Sequence, residues 1–274
     1  MSQEPVPPVA TPHAARLVDP AAIWRHACGD VCGLGMARAY LSAARGFADT
    51  SISRIEGRFG GIDVDVLDSS VGLPDVTRWQ IAEGGGALAV PLITLNGGVA
   101  NVAFRLTRTH SKAPKCVTLP DLPVGSRYTP IGFGDMHELV SAPLVVVVEG
   151  VMDTLTTKTI LGGSVAVIGA HSASHLSLSW PWWMPAVLGH HTEIVVVPHV
   201  DPSGLGEKCA VDLTASLIAR GKRARLFRWG ACLELLGVPE TVLRTSITDL
   251  TDLVPIALPD RVSAAVRRGL GVAP

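Results

Sequence analysis

Hydrophobic positions recur with two different periods in the first half of the chain. Across residues 20–44 apolar side chains return at roughly helical intervals, and the segment ends at Arg45-Gly46, where glycine is a common helix stop. Residues 87–95 and 99–105 are apolar runs on either side of Asn96-Gly97-Gly98. Asn-Gly tolerates the positive φ angles of tight turns. The patterns therefore predict one helix over 20–44, followed by a β-hairpin.

From Pro143 onward, short apolar runs alternate with helical periodicity. Residues 144–148 are purely apolar, which is typical of a strand buried on both faces. The predicted strands are 144–148, 165–168, 193–197 and 224–228, and the predicted helices are 151–161 and about 204–220. This alternation predicts an α/β fold, with a Rossmann-like parallel sheet flanked by helices and preceded by a small helical and β-rich part.

These changes of pattern divide the chain into four predicted parts. They are a proline-rich tail over 1–17, a helical and β-rich subdomain over 18–140, an α/β domain over 141–257 and a C-terminal helix over 258–274.

Composition narrows the possible classes of protein. A hydrophobic fraction of 47% excludes a mainly disordered chain, and a net charge of -1 argues against coating nucleic acid by bulk charge. The apolar runs are far shorter than the roughly 20 residues of a membrane helix, so we expect no membrane partner. The start of the chain lacks a charged-then-apolar leader pattern, so we expect a cytoplasmic protein.

Three potential metal ligands lie close together near the start of the chain: His26, Cys28 and Cys32. Their spacing is not C-x2-C, and no second pair follows at zinc-ribbon distance. We therefore expect these three residues to have a packing role rather than to bind zinc.

Acidic residues follow the carboxyl ends of the predicted strands. Ligands of parallel sheets bind beyond these strand ends. Glu149 comes after 144–148, Asp201 comes after 193–197, and Asp249 and Asp252 lie further on. Crowded carboxylates need a compensating cation, and Mg²⁺ prefers oxygen ligands. The pattern is equally compatible with helix caps and solvated loop charges.

The motifs around these acids resemble a known family. Glu149-Gly-Val-Met-Asp153 resembles the first motif of the Toprim domain of bacterial and phage DnaG-type primases, and residues 197–204 resemble its D-x-D-x-x-G motif. Upstream, Tyr40-Leu41 followed by Arg45-Gly46 resembles the Y-L-x-x-R-G helix ahead of the primase core. Residues 90–105 and 113–115 resemble the N-terminal half of that core, so the similarity runs over about 20–255 in the family's order.

The resemblance implies metal-dependent nucleotidyl transfer on single-stranded DNA, with nucleoside triphosphates as substrates, in replication of a phage, plasmid or mobile element. A replicative helicase is a possible partner. The catalytic residues it implies are Glu149, Asp153 and Asp201. The ligands it implies for Mg²⁺ or Mn²⁺ are Glu149, Asp201, Asp249, Asp252 and His199. The residues it implies for template or nucleotide phosphates are Arg105, Lys115 and Lys112.

One residue departs from the family's pattern. His199 stands where the family has the first Asp of D-x-D, and imidazole is a poorer Mg²⁺ ligand than carboxylate. This departure favours one alternative, a catalytically decayed nucleic-acid-binding scaffold that recruits a helicase. A Toprim metal-dependent nuclease is the other alternative that remains open.

Overall fold

A computed structural model gives the fold of the protein. It describes residues 18–69, 72–94, 96–108, 114–120, 122, 130–132, 136–162, 165–178, 180, 184, 188–189 and 191–272. The helices are α1 (Pro20–Gly29), α2 (Val31–Ala39), α3 (Asp49–Arg54), α4 (Asp75–Glu83), α5 (Met136–Ser141), α6 (Val151–Leu161), α7 (Ala173–Leu178), α8 (Leu205–Ala219), α9 (Trp229–Leu236) and α10 (Pro259–Gly269). The strands are β1 (Gly60–Ile62), β2 (Ala87–Ile93), β3 (Val99–Leu106), β4 (Cys116–Thr118), β5 (Ile131–Gly132), β6 (Leu144–Glu149), β7 (Ala166–Ala170), β8 (Glu193–Val196) and β9 (Arg223–Leu226).

All nine of these strands belong to one mixed sheet. Its order is β4-β3-β2-β5-β7-β6-β8-β9, with β1 paired to β2. Strands β7, β6, β8 and β9 are parallel, whereas β1 to β5 pair in antiparallel fashion. The short strand β5 joins the two halves, because Ile131 pairs with Leu92 on one side and with Gly169 on the other. The predicted α/β class, with a parallel sheet behind a β-rich part, is confirmed.

Strand β6 is the centre of the parallel half, and its alternating side chains enter two different cores. Val146 and Val148 pack with residues of α9 and α10 on one face of the sheet. Val145 and Val147 pack with residues of α7 and α8 on the other face. Trp180 is fully buried in this second core.

The single helix predicted over 20–44 is wrong, because the chain turns at Asp30. That residue is extended (φ -77°, ψ 111°), and its carboxylate accepts hydrogen bonds from the backbone N–H groups of Cys32 (3.2 Å) and Gly33 (3.1 Å). This N-cap starts a second helix, α2, and puts Cys28 and Cys32 on different helices. A π turn over Tyr40–Ala44 then ends this part of the chain.

The hairpin of β2 and β3 is confirmed, and Ala87 pairs with Leu106 at its open end. No helix in the described ranges is long and apolar enough to cross a membrane.

Candidate functional site

Acidic side chains meet where the parallel strands β6 and β8 end. Strand β6 finishes at Glu149, and Gly150 then turns the chain into α6 with φ 90°, a conformation that favours glycine. Asp153 lies in the first turn of α6. The backbone of Val200, after β8, donates a hydrogen bond of 2.8 Å to the Thr248 carbonyl. This bond brings the loop carrying Asp249 to the same edge of the sheet.

His199 lies between two carboxylates of this edge. Its Nδ1 is 4.0 Å from Asp249 Oδ2, and its Nε2 is 4.0 Å from Asp201 Oδ2. Asp153, His199 and Asp249 each offer a ligand atom, and these three atoms lie within 4.8 Å of one another. We call these three residues the metal-ligand cluster. Its composition of two carboxylates and one imidazole suits a divalent cation.

Asp153 is the most deeply buried acid of the cluster, at 6% exposure. Its Oδ1 accepts hydrogen bonds from Thr251 Oγ1 (2.8 Å) and from the Thr251 backbone N–H (3.1 Å). Burial, and then the charge of Asp249, raise the pKa of Asp153 well above its usual range. Burial, and then the charge of Asp252, raise the pKa of Asp249. A cation at this position would favour the charged forms of these acids, which burial disfavours.

Glu149 supplies an unsatisfied oxygen beside the cluster. Its Oε2 is buried and has no hydrogen-bond partner. Burial is the main cause that raises the pKa of Glu149, and the charges of Asp201 and Asp249 add to it, while His199 opposes it. A buried acceptor without a donor is costly in a folded protein, and a bound cation would satisfy it. The chain's residues therefore fit a divalent metal ion.

Helix α8 approaches this edge closely at Gly206. A Cβ atom on Gly206 would lie 2.5 Å from the His199 carbonyl oxygen and 3.2 Å from Glu149 Oε2. A side chain here would displace the backbone of His199, so the position requires glycine.

Asp201 and Asp252 each commit one carboxylate oxygen to a local turn. Asp201 Oδ1 accepts from Ser203 Oγ (2.6 Å) and from the backbone N–H groups of Ser203 (2.8 Å) and Gly204 (3.1 Å), and these bonds lower the pKa of Asp201. Asp252 Oδ2 accepts from the Thr248 backbone N–H (2.8 Å) and hydroxyl (3.0 Å). Both acids border the cluster without belonging to it, whereas Asp153, which the resemblance implied as a catalytic residue and not as a ligand, is a member.

Two arginines converge on one tyrosine on the β-rich side of the site. Arg45 donates to the Tyr40 hydroxyl oxygen from Nε (3.1 Å) and Nη2 (3.0 Å), and Arg105 Nε lies 3.4 Å from the same oxygen. The Arg45 guanidinium also lies 5.5 Å from the centre of the Tyr40 ring. The sequence patterns did not predict a phosphate-binding or catalytic role for Arg45. Its place in the Tyr40-Leu41 to Arg45-Gly46 motif was the signal available.

A continuous row of residues connects these arginines to the acids. Arg105 on β3 pairs with Cys116 on β4, and Cys116 Sγ lies 3.9 Å from His171 Nδ1. His171 directly follows Ala170, the residue of β7 that pairs with Glu149. The exposed Lys115 precedes Cys116, and Lys112 lies outside the described residues. The edge therefore carries cationic and acidic groups along one path.

No family model and no curated protein sequence matches the chain. Solved primase structures match it in fold. The Aquifex aeolicus primase, comprising zinc-binding and RNA polymerase domains, superposes with a TM-score of 0.54 and 14% identity, covering 89% of this chain and 59% of that chain. The RNA polymerase domain of Mycobacterium tuberculosis DnaG superposes with a TM-score of 0.52 and 16% identity, covering 90% of this chain and 80% of that chain. The same domain in complex with a double-stranded DNA oligomer with a 6-nucleotide overhang superposes with a TM-score of 0.51 and 17% identity. That match covers 92% of this chain and 77% of that chain. The chain thus has a DnaG-type primase fold.

Proposed function

We propose that the protein is a primase-type Toprim enzyme that joins nucleotides on a single-stranded DNA template. It would act in the cytoplasm during replication of a phage, plasmid or mobile element, with a replicative helicase as a possible partner. The observation that carries this proposal is the metal-ligand cluster of Asp153, His199 and Asp249, with the unsatisfied Glu149 oxygen beside it, in a primase fold.

The residues that would hold a divalent cation are the members of the cluster together with Glu149, and Asp201 and Asp252 border them. The imidazole nitrogen of His199 binds first-row transition-metal ions more readily than Mg²⁺, so Mn²⁺ is the preferred ion and Mg²⁺ the weaker one. When bound, such a cation offsets the negative charge that builds on the phosphate oxygens during nucleotidyl transfer.

The reaction is attack of a 3′-hydroxyl on the α-phosphate of a nucleoside triphosphate, which releases pyrophosphate. Arg45 and Arg105 would bind template or nucleotide phosphates, because a guanidinium donates two parallel hydrogen bonds to phosphate oxygens. Tyr40 holds both guanidinium groups in place through its hydroxyl oxygen. Lys115 would add a third, more exposed phosphate contact.

Templated synthesis tests the proposal directly. Wild-type protein, single-stranded DNA and labelled nucleoside triphosphates are incubated with Mn²⁺ or Mg²⁺, and the products are separated by size. We expect short products with Mn²⁺, fewer with Mg²⁺ and none with EDTA. Absence of products with either ion would contradict the proposal, and metal-dependent cleavage of the DNA without added nucleotides would indicate a nuclease instead.

A second candidate is a scaffold whose metal site has decayed, and His199 is the observation that favours it. His199 supplies no negative charge where the family's pattern has a carboxylate. Calorimetric titration with Mn²⁺ and Mg²⁺, on the wild type and on His199→Asp, separates the two candidates. Metal binding by the wild type supports the enzyme, whereas binding gained only in His199→Asp supports the scaffold.

A further inference from the structure

A cavity lies at the opposite end of α6 from Glu149. It has a volume of about 270 Å³ and is enclosed by α3, the second half of α6 and the start of α10. Phe47, Ile160 and Val262 give it apolar walls, and Arg54 and Asp260 bring one charge of each sign. Neither Glu149 nor any member of the metal-ligand cluster lines it.

A second cavity, of about 330 Å³, shares Arg54 with the first and is strongly cationic. Its other described lining residues are Arg58, Lys158 and Gly162, so three cations and no acid face it. Lys158 is only 3% exposed, and its Nζ donates to the Val165 carbonyl oxygen (3.4 Å). Arg58 Nη1 is buried and has no hydrogen-bond partner. Like charges gathered around one cavity favour an anion inside it.

A buried hydroxyl in the first cavity also lacks a partner. Thr159 lines this cavity, is 5% exposed, and its Oγ1 makes no hydrogen bond. Thr156 lines the same wall, but its hydroxyl lies 3.1 Å from Thr251 Oγ1 and is therefore satisfied. A buried polar group without a partner is destabilising, and a hydrogen-bonding ligand would remove that cost.

We propose that the two adjoining cavities form a binding site for a nucleoside mono- or diphosphate, separate from the proposed catalytic site. The phosphates would lie against Arg54, Arg58 and Lys158. The nucleoside would occupy the first cavity, with its apolar face against Phe47 and Ile160 and a polar group at the Thr159 hydroxyl. Each cavity is near the lower end of the size of small-molecule sites, and the two together lie within their range of roughly 300–1,000 Å³.

Calorimetric titration of the full chain tests this proposal. The buffer contains EDTA, so that no metal ion is bound to the metal-ligand cluster. The probes are AMP, ADP, adenosine and inorganic phosphate. We expect one AMP or ADP per chain, with adenosine and phosphate each bound at least about tenfold more weakly because each fills only one cavity. Arg54→Gln and Arg58→Gln should each weaken AMP binding about tenfold or more. Thr159→Val should also weaken it, whereas Thr159→Ser should retain it.

Two controls keep this result independent of the proposed function. Glu149→Gln, at the other end of α6, and Arg223→Gln, on the edge strand β9, should both bind AMP as the wild type does. Thermal unfolding checks that each variant folds, and the exposed Arg54 serves as the test position if Arg58→Gln does not fold. The proposal is overturned if millimolar AMP and ADP do not bind, if phosphate binds as tightly as AMP, or if Arg54→Gln leaves AMP affinity unchanged.

Discussion

Thr251 holds the carboxylate of Asp153 through two hydrogen bonds, one from its hydroxyl (2.8 Å) and one from its backbone N–H (3.1 Å). The two residues are 98 positions apart in the chain, so these bonds tie the loop carrying Asp249 to the first turn of α6. The geometry of the metal-ligand cluster therefore depends on a residue that is not itself a ligand.

Replacing Thr251 with valine should loosen this arrangement. Loss of the hydroxyl removes one bond to Asp153 and the contact with Thr156, so we expect Mn²⁺ affinity to fall about tenfold. The free energy of unfolding should fall by about 1–2 kcal/mol. Thr251→Ser keeps the hydroxyl and should behave like the wild type. Calorimetry and urea unfolding measure the two effects, and a valine variant with wild-type Mn²⁺ affinity would show that the Thr251 hydroxyl does not position Asp153.

Glu149→Gln should abolish synthesis while leaving the fold intact. The amide keeps the shape of the side chain but loses the charge that would hold a cation, a loss worth several kcal/mol and hence roughly a hundredfold or more in rate. Asp212→Asn, on the exposed face of α8, is the matched control and should keep full activity. A folded Glu149→Gln protein with wild-type synthesis would remove Glu149 from the site.

In the metal-free protein, Asp153 and Asp249 should contribute less stability as pH rises above about 4. The raised pKa values of Asp153 and Asp249 mean that the folded state binds protons more tightly than the unfolded state. Their stabilising effect is complete below the unfolded pKa of about 4 and is lost as pH rises through the folded values, at up to about 1.4 kcal/mol per pH unit for each proton.

Urea unfolding in EDTA across this pH range measures the effect as a difference between the wild type and Asp153→Asn. The variant lacks the titrating carboxyl, so its stability should decline less steeply with pH. Identical pH profiles in the two proteins would mean that Asp153 ionises normally in the folded state.

Arg105→Gln and Lys115→Gln should weaken binding to single-stranded DNA regardless of its sequence. Each variant loses a phosphate contact, so the slope of log K against log salt should decrease in magnitude by about 0.7. Arg223→Gln, on the edge strand β9, is the control and should keep the wild-type slope. Fluorescence anisotropy with a labelled oligonucleotide gives these slopes, and an unchanged slope for Arg105→Gln would exclude a phosphate contact there.

The sequence predicted those features that depend on neighbouring residues. The run from Leu144 to Val148 predicted a buried strand, and the position of Glu149 at its end placed an acid at the edge of the sheet. The break at Asp30 was missed because apolar periodicity continues through it, although Asp is a favoured N-cap. The helix pattern alone therefore gave the wrong extent for α1.

Features that depend on distant residues were not accessible to the sequence patterns. Arg45 and Arg105 meet at Tyr40 because a helical turn packs against a hairpin strand 65 residues away. The cationic cavity is lined by residues of two separate segments. Arg54 ends α3 and Arg58 lies in the turn after it, whereas Lys158 belongs to α6. Charge and periodicity in each segment are ordinary, and only packing brings these groups together.

Asp153, His199 and Asp249 should together hold a divalent ion, and direct titration with Mn²⁺ tests this claim. Calorimetry gives the affinity, and the electron paramagnetic resonance of bound Mn²⁺ shows whether an imidazole nitrogen is a ligand. We predict binding by the wild type with a nitrogen signal, loss of that signal in His199→Asp, and at least about tenfold weaker binding in Asp249→Asn. No binding at millimolar Mn²⁺, or equal affinity in the wild type and Asp249→Asn, would contradict the claim.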